Sequence, residues 1–411
     1  MTRTGPGFLT VFTTAIIITG NMIGAGILAL PINLGPAGLL PSVIGALIVW
    51  GAMTYCALII ARQPYLKENQ NADLPTFFEK VLGKTGKYVS VGANLIIFYG
   101  LLTAYLAGVI SVIVSWFDPT IPSWIILCIY FAVVTGFATK GDVFLKKGNT
   151  YFILTMWTFF IVMLALVVPN MQKGDVAAMD WGFFVSGLPI LVVAFNFHNM
   201  VPTVARFLNH DRKAVTTAIW LGSGLGMIMT VVWTIAVMAS LPMESTDGIS
   251  ILAAFNLNQP ATIPLDKMIQ SPWFNKASLG FAVVAMSTAY IATGVALLSF
   301  IRDLTSGYKV NKLLAWVIAF FPPLVVSIFF PNVFLKALNI VGGVGVGTLF
   351  GILPGMLLIK QGESGSLTKK IGYGLVAFFF VVLVVEVMQE TGMLRIPPDV
   401  EYWTTHTIHR R

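Results

Sequence analysis

The sequence predicts an all-α integral membrane protein with eleven transmembrane helices. Of its 411 residues, 57% are hydrophobic and only 10% are charged, whereas a soluble domain carries about 25% charged residues. Eleven apolar runs divide the chain, and each is long enough for a helix across the hydrocarbon core. Lys and Arg concentrate in every second connection between these runs, which is typical of a multi-pass protein.

The connections also predict the orientation of the chain in the membrane. The predicted spans are 8–31, 38–61, 88–116, 123–139, 150–168, 182–207, 214–240, 277–301, 313–330, 334–359 and 371–390. The amino-terminal segment and the five connections on its side hold 18 of the 25 Lys and Arg residues. Because cytoplasmic loops are enriched in these residues, we expect a cytoplasmic amino terminus and an extracytoplasmic carboxyl terminus. The formal charge of +8 thus reflects membrane orientation and not nucleic-acid binding.

The first apolar run has three glycines and an asparagine at its centre, namely Gly20, Asn21, Gly24 and Gly26. Glycine costs about 1 kcal/mol relative to alanine inside a helix, so this composition predicts an interrupted helix. Non-helical backbone at membrane depth is tolerated where protein buries it or where it lines a cavity. The alternative interpretation is close helix packing through Gly20 and Gly24.

Three further segments have their own patterns. Residues 73–83 place apolar side chains on one helical face, with Asp73 as a possible cap, which predicts a short amphipathic helix at the cytoplasmic interface. The connection 241–276 is the longest, and its apolar stretch 248–255 is either a lid over the extracellular mouth or an inert packed loop. Glycines at spacing four in the tenth run, from Gly343 to Gly355, predict a packing seam.

The sixth run contains a second break. Asn196, His198 and Asn199 lie at mid-span of an apolar segment, and Pro202 disfavours helical geometry at the residue before it. Polar groups at this depth are expensive and usually face a cavity. Five spans separate the two breaks, and because five is odd the two halves must be inverted relative to the membrane. We therefore predict two five-helix repeats, residues 1–170 and 171–360, followed by an eleventh helix and tail, residues 361–411.

A pair of broken helices can bind an amino acid through its backbone. The half-helix after a break offers free N–H groups and its positive dipole end to a carboxylate, and the carbonyls before the break suit an ammonium group. No Lys, Arg, Asp or Glu lies in the middle of spans one to ten. The candidate substrate-binding residues are Asn21, Ile23, Gly24, Ala25, Gly26, Ala194, Phe195, Asn196, Phe197 and, on span three, Tyr99, with Asn94 and Tyr105 as further polar candidates there.

Three residues are candidates for ion coupling. His198 is the only histidine in a predicted span, and because imidazole titrates near physiological pH it either carries a proton or ties down the break. Ser287 and Thr288 either hold sodium through their hydroxyl groups or bond to their own backbone. Glu386 is the one acid deep in an apolar run, and we expect it at the outer interface or in a dimer contact. No other metal and no cofactor is expected.

Residues 20–31 read GNMIGAGILALP, residues 195–202 read FNFHNMVP, and span eight runs from Ser287 to Ile301-Arg302-Asp303-Leu304. These segments resemble the tryptophan/tyrosine permeases, the hydroxy and aromatic amino acid permease group of the APC superfamily. The first motif is shared across much of the superfamily, whereas the His198 and Pro202 pair is more specific to this group. The resemblance implies a five-plus-five inverted-repeat fold, alternating access and uptake of an aromatic amino acid across the bacterial inner membrane. Asn196 departs from the glycine that the family usually has there.

The leading interpretation is therefore a secondary active transporter that takes up tyrosine or tryptophan with protons. Sodium coupling, or a small neutral or hydroxy amino acid as the substrate, is the alternative within this class. A channel is the alternative of a different class, although the sequence has no repeated filter and no ring of like charges. An enzyme is not expected, since no acid–base or metal-ligating cluster lies in the spans. The predicted partners are the amino acid, a proton or sodium, and the lipid bilayer.

Overall fold

The structure is a bundle of helices whose apolar segments coincide with the eleven runs of the sequence. The computed structural model describes residues 6–64, 74–117, 120–171, 179–245, 247–306 and 310–403. Within these residues, eight helices are long and apolar enough to cross a membrane, and the bent pair Phe8–Met22 and Ala25–Ala37 makes a ninth. Two shorter apolar helices, Ser123–Thr139 and Leu154–Asn170, lie at the fourth and fifth runs. The architecture is all-α with several potential spans, and the full count of eleven spans stays a prediction.

The helices of the first half are α1 (Phe8–Met22), α2 (Ala25–Asn33), α3 (Leu39–Ala61), α4 (Leu74–Leu82), α5 (Lys84–Phe117), α6 (Ser123–Thr139) and α7 (Gly141–Val167). The second half contains α8 (Trp181–Phe184), α9 (Leu188–Ala194), α10 (Val201–Phe207), α11 (Arg212–Ser240), α12 (Ile251–Asn256), α13 (Thr262–Ile269), α14 (Pro272–Leu304), α15 (Lys312–Phe329) and α16 (Phe334–Ile340). A π-helical segment (Val341–Ile352) leads into α17 (Leu353–Gln361), and α18 (Leu367–Glu390) follows.

Two long helices form the centre of the bundle. Helices α5 and α14 pack against each other, α5 also packs on α15 and the π-helical segment, and α14 also packs on α6 and α7. Helix α1 packs on α11, where the Thr19 hydroxyl donates to the Gly222 carbonyl at 2.9 Å. Helices α9 and α10 pack on α3. Each half of a broken helix is therefore held by a continuous one.

A helix covers most of the segment that the sequence predicts to be amphipathic. Helix α4 ends at Leu82 and is followed by Gly83, whose φ of +81° is a left-handed conformation that favours glycine. Phe77 and Phe78 are fully buried, and Lys360 Nζ donates to the Val81 carbonyl at 2.6 Å. The helix is therefore docked against the bundle and does not merely lie on an interface. Asp73, its predicted cap, lies outside the described residues.

The glycines of the tenth run pack against α18. A Cβ atom at Gly355 would lie 2.8 Å from a Val376 methyl group, and a Cβ atom at Gly351 would overlap the Phe379 ring. At Gly343 the neighbour is Glu386, whose own Cβ would be 2.7 Å away. Glu386 is 2% exposed, so it is buried within the chain, in contrast to the dimer contact that was one of the two expected places. The notch left by Gly343 accounts for this difference.

The long connection after α11 folds over the end of α2. Ile251 and Ala254 of α12 are buried, and a Cβ atom at Gly35 would lie 2.7 Å from an Ile251 methyl group. The Ala261 N–H donates to the Leu28 carbonyl at 3.0 Å. The stretch interpreted from sequence as a lid or a packed loop thus covers this end of the first broken helix.

Candidate substrate-binding site

The first break lies between α1 and α2, whose axes differ by 52°. The Gly24 N–H donates to the Met22 carbonyl at 3.1 Å, and the Ile27 N–H donates to the Gly24 carbonyl at 3.3 Å. Because the first N–H groups of a helix have no intrahelical acceptor, those of Ala25 and Gly26 have no partner among the described residues. Two adjacent backbone donors are thus available at the positive end of α2.

The two glycines after the bend differ in what surrounds them. A Cβ atom at Gly26 would lie 3.0 Å from Ala194 Cα, so the absence of a side chain lets the two breaks approach each other. A Cβ atom at Gly24 would meet nothing within 4 Å. Gly24 therefore faces open space. The alternative interpretation, in which Gly20 and Gly24 allow close packing of a neighbouring helix, has no support at Gly24.

The second break separates α9 from α10 and is mostly buried. Phe195, Phe197 and His198 are at most 1% exposed. His198 Nε2 lies 2.8 Å from the Met53 carbonyl on α3, and its ring stacks on Phe350 with 4.9 Å between centroids. These contacts hold the irregular backbone against its neighbours. His198 itself is buried and is not among the residues that line the cavity described below.

A side-chain hydrogen bond joins the two breaks. Asn21 Nδ2 donates to Asn199 Oδ1 at 3.3 Å. Asn196, at the same break as Asn199, accepts a bond from the His198 N–H through its Oδ1 at 3.4 Å. The asparagines that stand out in the two apolar runs therefore meet in space.

A cavity of about 590 Å³ opens where the breaks face each other. Helices α5 and α14 also contribute to its wall, as do Leu74 and Pro75 of α4. No charged residue and no residue of 240–276 is among the described residues that line it. The polar residues of the wall, besides the breaks, are Asn94, Tyr105, Thr288 and Thr293. The site is thus concave and largely apolar, with few polar groups, as small-molecule sites usually are.

The predicted substrate residues divide into two groups in the structure. Those that line the cavity are Asn21, Ile23, Gly24, Ala25, Gly26 and Asn196. Ala194, Phe195 and Phe197 are buried behind the wall. The Tyr99 hydroxyl donates to the Ile318 carbonyl on α15 at 2.8 Å, so Tyr99 joins two helices, while Tyr105 lines the cavity.

Ser287 and Thr288 do not form a pair of free hydroxyl ligands. The Ser287 hydroxyl lies 2.8 Å from the Tyr130 hydroxyl on α6. Thr288 is on the cavity wall, but its hydroxyl donates to the Val284 carbonyl one turn earlier at 2.8 Å. The two side chains thus point to different surroundings, and the alternative of backbone bonding describes Thr288.

Several wall residues were not predicted from the sequence. Val193, Met200, Phe300 and Phe350 are apolar and resemble ordinary core residues in a sequence. A clearer signal lies in α14, where small residues recur at helical spacing on the cavity side. These residues are Ala285, Ala289, Ala292 and Ala296.

Comparisons with known proteins agree on one family. The family model described as the tryptophan/tyrosine permease family matches residues 9–391. The tyrosine-specific transport system 1 of Haemophilus influenzae is 25% identical over 337 residues, covering 80% of this chain and 83% of that protein. The tryptophan-specific transport protein of the same organism is 24% identical, with 80% and 82% covered. The glutamine transporter 2 of Aliivibrio fischeri is also 24% identical, with 80% and 84% covered.

A solved structure supports the fold as well. The manganese transporter of Eremococcus coleocola has a TM-score of 0.58 and 13% identity, covering 99% of this chain and 93% of that chain. At this identity the likeness concerns the fold alone. The family model spans almost all of the helices described above, and the chain therefore belongs to the tryptophan/tyrosine permease family.

Proposed function

We propose that this protein is a secondary active transporter that takes up aromatic amino acids across the bacterial inner membrane by alternating access. The observation that carries the proposal is the cavity of about 590 Å³ between two broken helices whose asparagines are bonded to each other. Discontinuous helices in corresponding positions of two halves are the usual location of a transporter's substrate site.

The zwitterionic part of the substrate binds at the first break. The N–H groups of Ala25 and Gly26 are free among the described residues, both residues line the cavity, and the dipole of α2 favours a carboxylate there. The carbonyl groups at the end of α1 accept from the ammonium group. This arrangement needs no charged side chain, which agrees with the uncharged lining of the described cavity wall.

The side chain of the substrate lies between α5 and α14. The volume of the cavity falls within the range of about 300–1,000 Å³ that is usual for ligand pockets. Phe98, Phe300 and Phe350 supply aromatic surface, and the small residues Ala289 and Ala292 line the same cavity. Such a wall favours an aromatic side chain of the substrate, because aromatic pairs stabilise a complex beyond the contribution of the apolar area that they bury.

Alternating access follows from an inverted pair of repeats. Under a shift of five spans, the packing of α5 on α15 and on the π-helical segment corresponds to the packing of α14 on α6 and on α7. The packing of α1 on α11 likewise corresponds to that of α9 on α3. With a cytoplasmic amino terminus, α4 lies on the cytoplasmic side of the bundle, and its Leu74 and Pro75 line the cavity. We therefore propose that the cavity opens to the cytoplasm.

Protons are the proposed driving ion. The alternative sodium site has weak support, since the hydroxyl groups of Ser287 and Thr288 are engaged with Tyr130 and with the helix backbone.

A channel would need a continuous path, whereas the residues 248–261 cover one end of the first broken helix.

A second candidate substrate is a smaller polar amino acid such as glutamine. Asn196 reaches the cavity wall, and its amide group could bond to an amide side chain. One of the relatives named above is described as a glutamine transporter. Asn196 is therefore the residue on which the choice between the two substrate classes depends.

The test is uptake of radiolabelled tyrosine, tryptophan and glutamine into proteoliposomes. A pH gradient and a sodium gradient are imposed in turn, and exchange is measured with unlabelled amino acid inside. We expect pH-driven accumulation of an aromatic amino acid, with exchange stimulated by internal substrate.

The outcomes separate the alternatives. Accumulation driven by sodium alone would contradict proton coupling. Accumulation of glutamine without tyrosine or tryptophan would replace the aromatic substrate by the second candidate. Flux that neither saturates nor responds to internal substrate would refute a carrier and support a channel.

A further inference from the structure

A buried carboxyl group lies outside the cavity described above. Glu386 of α18 is 2% exposed and forms no hydrogen bond or ion pair with any described residue, and its Oε1 is buried without a partner. An ionised carboxylate without a partner is very unfavourable in such surroundings. The group is therefore stable here only with a proton bound.

The side chain of Glu386 is held between three elements. Its Cβ and Cγ fill the notch at Gly343, where a Cβ atom would lie 2.7 and 2.8 Å from them. The same notch is bounded by Pro189 of α9, whose Cβ would be 3.4 Å away. One turn further along α18, Gln389 donates to the Ser186 hydroxyl just before α9, at 2.6 Å. Glu386 thus lies where α18, the π-helical segment and α9 meet.

The charged groups near Glu386 lie on one side of it. Glu390 is one turn away on α18 and is ion-paired to Lys336 of α16 at 2.7 Å. The described part of α9 and the π-helical segment contain no titratable residue. The basic residues of α17 lie at its carboxyl-terminal end and those of α18 at its amino-terminal end, whereas Glu386 is near the carboxyl-terminal end of α18. Lys336 and Glu390 therefore separate Glu386 from the end of the bundle that the Lys and Arg pattern predicts to be extracytoplasmic.

Helix α9 connects the surroundings of Glu386 to the candidate substrate site. Helix α9 ends at Ala194, which touches Gly26 of the first break, and Asn196 follows on the cavity wall. A neutral Glu386 keeps α18, the π-helical segment and α9 packed as seen here. An ionised Glu386 would be drawn towards Lys336 and would leave the notch at Gly343, which Pro189 of α9 also bounds. The two protonation states therefore favour different packings of the second broken helix.

We infer that Glu386 is a proton-binding site whose occupancy is coupled, through α9, to the conformation of the substrate site. The inference rests on the proposed transport function and assigns the coupling proton to α18, outside the two repeats. Because coupling between two sites is reciprocal, substrate binding must in turn change the proton affinity of Glu386.

The first experiment needs no substrate. The pH-difference infrared spectrum of the reconstituted protein is recorded for the wild type, Glu386→Gln and the exposed control Glu363→Gln. We expect a carbonyl band of a protonated carboxylic acid in the wild type and the control, and its loss in Glu386→Gln. A band that persists unchanged in Glu386→Gln would overturn the proton site.

The second experiment tests the coupling. With one coupled proton, a gradient of one pH unit drives about tenfold accumulation. We expect Glu386→Gln to lose this accumulation and to retain exchange, while Glu363→Gln keeps both. Wild-type accumulation by Glu386→Gln would overturn the coupling. Because Gln has the shape of the neutral acid, folding should be preserved, and Glu386→Asp should recover the infrared band and part of the accumulation; failure of both would also count against the inference.

The two proposals can fail separately. If the wild type moves no amino acid, the transport function is wrong, and the infrared experiment still decides whether Glu386 binds a proton. If the wild type accumulates substrate with protons and Glu386→Gln does the same, the function stands and the assignment of the proton to Glu386 falls.

Discussion

The two broken helices have the same general form but different surroundings. The first break exposes backbone to the cavity, with free N–H groups at Ala25 and Gly26 and open space beside Gly24. At the second, Phe195, Phe197 and His198 are buried. The first break is therefore suited to binding, and the second to holding its own irregular backbone in one shape. The following predictions, from the largest effect to the smallest, test this division.

The largest effect is expected where the breaks touch. Gly26→Ala would place a methyl group 3.0 Å from Ala194 Cα, and because this nearest atom belongs to the backbone, the breaks must move apart. Overpacking of this kind costs about 1–3 kcal/mol, so we expect uptake to fall by roughly tenfold or more. Initial uptake rates in proteoliposomes, corrected for folded protein by size-exclusion chromatography, measure the loss.

Gly24→Ala is the matched control. Its methyl group meets no atom within 4 Å, so the protein should fold normally and the change should act mainly on the KM for substrate. If Gly24→Ala lowers the yield of folded protein more than Gly26→Ala does, the assigned roles of the two glycines are wrong.

His198 should matter for stability more than for coupling. His198→Leu removes the hydrogen bond between the imidazole and the Met53 carbonyl, and a net hydrogen bond of this kind contributes about 0.5–1.5 kcal/mol. We expect a lower Tm of the protein in detergent and an unchanged ratio of pH-driven accumulation to exchange. A variant with normal Tm that exchanges substrate but has lost pH-driven accumulation would instead identify His198 as the proton carrier.

The contrast between the breaks also explains what could be predicted from the sequence. At the first break the proposed binding groups are backbone N–H groups, so the glycines themselves indicate the candidate site, and all five predicted residues line the cavity. At the second break the backbone is irregular. No helical period then tells which of Asn196, Phe197 and His198 faces the cavity.

Regular helices presented a different difficulty. Tyr99 and Tyr105 are six residues apart and so lie on different faces of α5, but the face that meets the cavity depends on how α14 and α15 pack. Adjacent residues such as Ser287 and Thr288 point about 100° apart on a helix, so they could not both face one site. The apolar runs, in contrast, predicted the positions of the helices because burial in lipid depends on composition.

Asn196 should influence which substrate is preferred. It is the only side chain of the buried part of the second break, residues 195–198, that lines the described cavity wall. Asn196→Ala removes an amide group and adds space, so we expect the ratio of kcat/KM for tryptophan to that for glutamine to rise by about tenfold, within the range for one altered pocket contact. Competition between the two labelled amino acids measures this ratio. An unchanged ratio would show that Asn196 acts on the backbone of the break through its bond to the His198 N–H.

The smallest effect is expected for the bond between the breaks. Asn21 and Asn199 are both exposed, and their amide groups are 3.3 Å apart, so the bond should contribute no more than about 0.5–1.5 kcal/mol. Asn21→Ala and Asn199→Ala should each change substrate affinity by a few-fold, and the double variant should cost less than the two single changes added together. A double-mutant cycle on equilibrium binding measures this coupling. Additive effects would mean that the breaks are held together by the contact of Gly26 with Ala194 alone. A coupling well above the range for one hydrogen bond would mean that both asparagines also bind the substrate, and then the second break would share the binding role now given to the first.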